Sequence, residues 1–171
     1  MIKYLTFSFA ISVISWIVGM VINAVLIKTA FYKKNLTKLN FIPNENLNRY
    51  IGIELFKWII IHSFFKYFNP KLSVKKKIRS SELPDLYKEM TIAEISHLIA
   101  FFFVNVFVLI KLRGGSYLFA SVILLVNIVM NLYPTLLQQQ NKRRIAKYAI
   151  MLTAREAHRV HTISPVTAMA Q

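Results

Sequence analysis

Apolar residues in this chain gather into long uninterrupted runs, and the cations lie between the runs. The first run, about 4–27, carries no charge. At about 1.5 Å per residue it crosses a hydrocarbon core of about 30 Å with room for tilt. It is too long for the apolar stretch of a signal peptide, and no small-x-small cleavage site precedes the basic residues from Lys28, so a retained helix is expected. A second run, about 91–110, centres on Ile99-Ala-Phe-Phe-Phe-Val-Asn-Val-Phe-Val-Leu-Ile110. The link Lys111-Leu-Arg-Gly-Gly-Ser116 follows, and then a third run over about 117–137. So short a link, with a Gly-Gly pair to turn the chain, predicts an antiparallel helical hairpin.

The stretch 49–68 reads differently. Glu54, Lys57, Trp58, His62 and Lys66 recur at intervals of three and four, while Ile53, Phe56, Ile60, Phe64 and Tyr67 fall mainly opposite. Charges at a bilayer centre are costly, so this pattern predicts an amphipathic helix lying in the membrane interface. Ser80-Ser-Glu-Leu-Pro84 is expected to break any helix before the second span. From His158 onward periodicity is lost, and a mobile tail is expected. The fold class is therefore all-α: an integral membrane protein with three spans, one membrane domain over 1–145, and a C-terminal tail over 146–171.

Composition sharpens this picture. The chain has 171 residues, 56% of them hydrophobic, yet 22 Lys and Arg face 7 Asp and Glu, for a net charge of +15. A soluble nucleic-acid-binding module would spread such charge over a wet surface, so no nucleic-acid partner is expected; here basic loops flank spans. One cation precedes the first run, 13 lie between Lys28 and Lys88, two sit in the hairpin link and six follow from Lys142. With three crossings, the two large groups share one side. The excess of cations on the cytoplasmic side then places the N-terminus outside the cell membrane, and the loop 28–90 and the C-terminus in the cytoplasm. The cluster Lys75-Lys76-Lys77 is expected to lie against anionic headgroups. There is no cysteine, so thiolate chemistry, disulfides and Cys-bound metals are excluded. The four histidines, His62, His97, His158 and His161, show no metal-ligand spacing, so no metal site is expected.

Few residues remain for chemistry. Glu94 and His97 stand three apart near the start of the second span, where a carboxylate can orient and charge-stabilise an imidazole acting as a general base. The same spacing also suits a helix-start carboxylate with a headgroup-facing histidine. At the end of the third span come Asn131, Tyr133, Pro134 and Gln138-Gln-Gln-Asn-Lys-Arg-Arg144. The hairpin puts this run at the membrane level of Glu94 and His97. Amides can fix a hydroxyl-rich head group, and arginines can bind the phosphates of a donor such as a coenzyme A ester. Snorkelling anchorage accounts for Lys142, Arg143 and Arg144 alone, but less well for the amides. Asn23, Asn105 and Asn127 are expected to tie helices together, and Trp16 and Trp58 to serve packing or the interface.

Glu94-x-x-His97, the hairpin, and Asn131-x₆-Gln138-x-x-Asn141-Lys142-x-Arg144 resemble the glycosyl-4,4′-diaponeurosporenoate acyltransferases, small membrane proteins with a Glu-x-x-His at the head of a span and a later Asn-x₆-Gln-Arg-Tyr-Asn-Arg-x-Arg. The likeness spans about 50–145. Gln139 and Gln140 stand where the family has Arg-Tyr, Lys142 replaces an Arg, and the family's Trp-Lys dipeptide is missing, with Phe64-Phe65 near its place. The resemblance implies transfer of a fatty acyl group from an activated donor to a sugar hydroxyl of a glycosylated C30 carotenoid acid. It carries over Glu94, His97, Asn131, Gln138, Asn141, Lys142 and Arg144. On that basis His97 is expected to be the base with Glu94 orienting it, the amides to hold the sugar, and the cations to hold the donor. No cofactor is expected, since the acyl donor is a substrate; the partners are the lipid acceptor, the donor and membrane lipids. A non-catalytic membrane subunit, recruiting a partner through its basic loop, is the competing reading. It makes Glu94 and His97 replaceable and Lys75 to Arg79 essential.

Overall fold

The computed structural model describes residues 1–62 and 80–168, with side chains as far as Arg155 apart from that of Glu45. Its helices are α1 (Ile2–Leu26), α2 (Glu45–Tyr50), α3 (Ile53–His62), α4 (Leu83–Arg113), α5 (Tyr117–Asn127) and α6 (Tyr133–Ala168). A π-helical turn, Tyr32–Leu36, follows α1, another, Ile128–Leu132, joins α5 to α6, and a 3₁₀ turn, Ser80–Glu82, precedes α4. No strand occurs among the described residues. Three helical segments, Ile2–Leu26, Ser80–Arg113 and Tyr117–Arg155, are long and apolar enough to cross a membrane.

Boundaries depart from the sequence reading in three places. Helix α4 begins at Leu83, because Pro84 sits in its first turn, where its missing N–H costs nothing, and Asp85 faces the positive helix end. The expected breaker is thus a helix start. The expected interfacial helix is split by Gly52, whose φ of 74° turns the chain between α2 and α3. Helix α6 does not stop near residue 137 but runs to Ala168, through the segment expected to be a mobile tail. Its polar stretch is rich in Gln, Lys, Arg and Ala, all good helix formers, so loss of apolar periodicity did not mean loss of helix. Phe64, Lys66, Tyr67 and Lys75-Lys76-Lys77 lie outside the described residues.

The hairpin forms as expected. Gly114 caps α4, Gly115 takes a φ of 71°, and Ser116 N–H returns to the Lys111 carbonyl at 2.9 Å. Helix α1 packs antiparallel to α4 and parallel to α5, closing a three-helix bundle. Toward the hairpin link the interior is apolar: Ile11, Val104, Val108, Ala120 and Ile123, ringed by Phe7, Phe103, Phe107 and Phe119. Toward the opposite end it is polar.

Helix α1 buries its small and polar residues and exposes its large apolar ones. Ser8, Ser12, Ser15, Gly19 and Asn23 face the bundle, while Phe9, Val13, Ile17, Met20 and Val25 face outward. This inversion suits lipid, which offers large side chains no reason to hide, while small residues let helices approach closely. The approach is close at Gly19, where an added Cβ would run into the Ser96 carbonyl oxygen. Asn23 reinforces the contact, donating to the Ile92 carbonyl at 2.9 Å and to Ser96 Oγ at 3.0 Å.

Gly19→Ala is therefore expected to push α1 off α4 and cost about 1–3 kcal/mol, as overpacked interiors do. Thermal unfolding of the detergent-solubilised protein measures this, with the outward-facing Val13→Ala as the matched control; equal Tm values for the two variants would contradict the close approach.

Candidate active site

Pro134 sets up the local geometry. It has no N–H to give the Met130 carbonyl one turn back, and the chain widens into the π-helical turn Ile128–Leu132 immediately before it. Trp16 Nε1 approaches that carbonyl at 3.4 Å and donates to Asn131 Oδ1 at 3.0 Å. Asn131 Nδ2 in turn donates to Asn127 Oδ1 at 2.8 Å and to Ser15 Oγ at 3.3 Å. Asn127 Nδ2 reaches the Phe101 carbonyl of α4 at 3.0 Å. One amide chain thus joins α1, α4 and the α5–α6 junction, as polar groups held in apolar surroundings require.

His97 sits against this network. Its ring meets the Trp16 ring edge-on, centroids 6.0 Å apart, with the Asn131 side chain beside it. The imidazole lines a cleft of about 310 Å³ whose walls include Phe56, Ile59 and Ile60 of α3, Val129 and Met130 of the π turn, and Pro134, Leu137 and Gln138 of α6. Among the described residues, its buried Nδ1 has no hydrogen-bond partner. Helix α3 closes one side of the cleft. Ile53 packs on Leu136 and Leu137, and Tyr133 Oη donates to the Ile51 carbonyl at 2.7 Å.

Glu94 does something other than expected. Its Oε1 accepts from Gln139 Nε2 at 2.8 Å and its Oε2 meets Lys142 Nζ at 2.5 Å, both oxygens turned toward α6. The expected Glu94–His97 pairing is not formed. At about 100° per residue, a step of three leaves two side chains about 60° apart around the helix. On α4, which lies between two neighbours, that is enough to send Glu94 to α6 and His97 to α1. Side-chain exposure is 0% for Glu94 and 4% for Lys142, so this is an ion pair removed from solvent.

The pair also anchors the chain that follows α1. Lys142 Nζ donates to the Thr37 carbonyl at 3.1 Å, Gln139 Oε1 accepts from Phe41 N–H at 2.9 Å, and Arg143 donates to Asn40 Oδ1 at 2.5 Å. Residues 37–41 are thereby strapped across α6. Tyr32 is enclosed nearby; burial above all, and the Glu94 charge in addition, hold its phenol above the ordinary value against a lowering from Asn23.

The polar residues at the end of the third span therefore divide. Gln138 lines the cleft, and Asn141 is buried with its Nδ2 unpartnered among the described residues. Asn131 is occupied in positioning, and Lys142 in the ion pair, rather than presented to a ligand. Arg144 lies in a separate polar pocket and donates to Glu54 Oε1 at 2.6 Å. Asn23 and Asn127 tie helices as expected, whereas Asn105, among the described residues, bonds the Phe101 carbonyl of its own helix, at 2.8 Å. Trp16 is a site residue that sequence reasoning placed in packing; its spacing of four from Ser12 and three from Gly19, along a buried small-residue stripe, was the available signal. His62 is exposed, stacked on Trp58, and the side chains of His158 and His161 lie outside the described residues. No group of three or more potential metal ligands occurs among the described residues.

The sequence profile of the glycosyl-4,4′-diaponeurosporenoate acyltransferases matches residues 28–150, well over half of the chain. The chain belongs to that family. It is a family of acyltransferases of carotenoid pigment synthesis, and the match takes in the 37–41 strap, the ion pair and every cleft residue named above except Trp16. No curated protein and no solved structure matches the chain.

Glu94→Leu or Lys142→Met alone should leave one buried charge uncompensated and destabilise the protein by about 3–5 kcal/mol. The double variant Glu94→Leu/Lys142→Met should regain most of that loss. A double-mutant cycle on thermal stability in detergent measures it, and strict additivity of the two losses would contradict a direct pairing.

Proposed function

We propose that this protein is a membrane acyltransferase that moves a fatty acyl group from an activated thioester donor to a sugar hydroxyl of a glycosylated carotenoid or related glycolipid, with His97 as the general base. The observation that carries the proposal is the His97 imidazole in an apolar cleft, one ring nitrogen buried and without a partner among the described residues. A substrate hydroxyl is the group that such a nitrogen can satisfy and deprotonate.

In this reading the acyl chain and the polyene enter from lipid and lie along the apolar walls, so that the membrane itself concentrates both reactants. The imidazole takes the proton from the sugar hydroxyl as its oxygen attacks the acyl carbonyl carbon. A C–O ester bond forms, the thioester C–S bond breaks, and the leaving thiolate receives the proton from the imidazolium. Asn131 and Trp16 fix the ring, the part first given to Glu94. Gln138 and Asn141 offer amides to the sugar, and Arg144 a guanidinium to the donor. The Glu94–Lys142 pair is a positioning element, holding the strap and α6 in register beside the cleft. The cation distribution favours an external N-terminus, with the polar end of the bundle at the cytoplasmic surface.

His97→Ala is expected to reduce the acylated product by about 10²–10⁴-fold, the usual contribution of a general base, without lowering the amount of protein in the membrane. Mass spectrometry of lipid extracts from cells that make the glycoside, with and without each variant, measures this. Full product from His97→Ala would exclude the base assignment and favour a non-catalytic membrane subunit.

A further inference from the structure

A second polar cavity, of about 330 Å³, lies where α2, α3 and α6 meet. Arg49, Arg143 and Arg144 line it, together with Asn46, Gln140 and Glu54. Three guanidiniums and one carboxylate thus line the same cavity. Glu54 Oε1 holds Arg144 at 2.6 Å and Gln140 Nε2 at 2.8 Å, which sets the position of the Arg144 fork. That ion pair is half exposed on both sides, so an incoming anion can exchange with the carboxylate at modest cost. Lys57, next to the pocket, carries the same sign: its ammonium is held below the ordinary value by burial and then by the Arg144 charge, against a smaller opposing effect of Glu54.

The place of this cavity matters as much as its charge. It shares α3 and α6 with the His97 cleft: Phe56 and Gln138 line the cleft, Glu54 and Gln140 the pocket. Leu137 in the cleft and Arg144 in the pocket are seven residues apart, about 10 Å along a helix. That is within the reach of the extended arm separating a thioester from the phosphates of a carrier such as coenzyme A.

We propose that this pocket is the phosphate subsite of the acyl donor, binding a phosphodiester or pyrophosphate through Arg49, Arg143 and Arg144 while the donor's acyl end lies in the His97 cleft. The assignment rests on the acyltransferase reading for the identity of the ligand, though the anion site itself does not. Arginine suits it, because its planar fork binds phosphate oxygens in pairs. Glu54 acts as the counter-ion that keeps Arg144 in place and competes with the phosphate.

Binding tests it on the full-length protein in phosphatidylcholine nanodiscs, with coenzyme A and 3′,5′-ADP as soluble probes and stepwise phosphatidylglycerol as the lipid probe. Arg49→Gln and Arg144→Gln should each weaken binding about tenfold. Glu54→Gln should tighten it several-fold, a gain that misfolding cannot imitate. A change seen with the soluble probes identifies a carrier thioester as the donor, and one seen only with phosphatidylglycerol identifies a phospholipid; either supports a phosphate subsite. Unchanged affinity for every probe in the Arg variants and in Glu54→Gln would overturn it. Should His97→Ala retain full product while the Arg variants lose binding, the general-base reading fails and the anion site stands.

Discussion

Glu94 and Lys142 are withdrawn from solvent side by side, and much of the polar end of the bundle is arranged around them. A charge in apolar surroundings must be paired and hydrogen-bonded within the chain, since lipid offers no partner. Gln139 completes the carboxylate, the Thr37 carbonyl completes the ammonium, and Phe41 N–H completes Gln139. Three distant parts of the sequence are drawn together by that one requirement. The strap at 37–41, the middle of α4 and the polar stretch of α6 meet in the register that these bonds set. The cleft that holds His97 opens beside it, so its walls are fixed by an interaction in which His97 takes no part.

The same requirement explains why the two halves of the bundle differ. Toward the hairpin link the interior is filled by phenylalanines and aliphatic residues, and dispersion holds it together. Toward the other end Asn127, Asn131 and Ser15 form a hydrogen-bonded chain from helix to helix, and Asn23 separately ties α1 to Ser96 of α4. Polar groups in apolar surroundings are expensive, so those gathered at this end pair with one another and with backbone carbonyls. The π-helical turn before Pro134 belongs to that end as well, and Trp16 turns toward the widened backbone and steadies both Asn131 and His97.

The spans and the hairpin were legible in the sequence because uninterrupted apolar runs and a Gly-Gly link have few other solutions. Glu94, His97 and Gln138 stood out as polar residues beside apolar runs. Their partners did not, because spacing along one helix says which residues share a side and leaves open which neighbour that side meets. Lys142 looked like a headgroup anchor or a ligand of the donor and is instead enclosed, since its pairing depends on α4 lying against α6. Trp16 read as packing, because a hydrogen bond to a residue more than a hundred positions away leaves no local trace. The extent of α6 was missed for a simpler reason: a polar helix has no apolar period to detect.

Family membership makes this chain one of the acyltransferases of carotenoid pigment synthesis, and the proposed mechanism adds to that a general base in an apolar cleft. The most direct measurement is transfer of a radiolabelled acyl chain in liposomes that contain this chain as their sole protein, with the glycosylated carotenoid acid and an acyl thioester supplied. The account predicts a labelled glycoside ester that accumulates in proportion to the protein added. Folded, membrane-inserted protein that forms no ester under these conditions would contradict it.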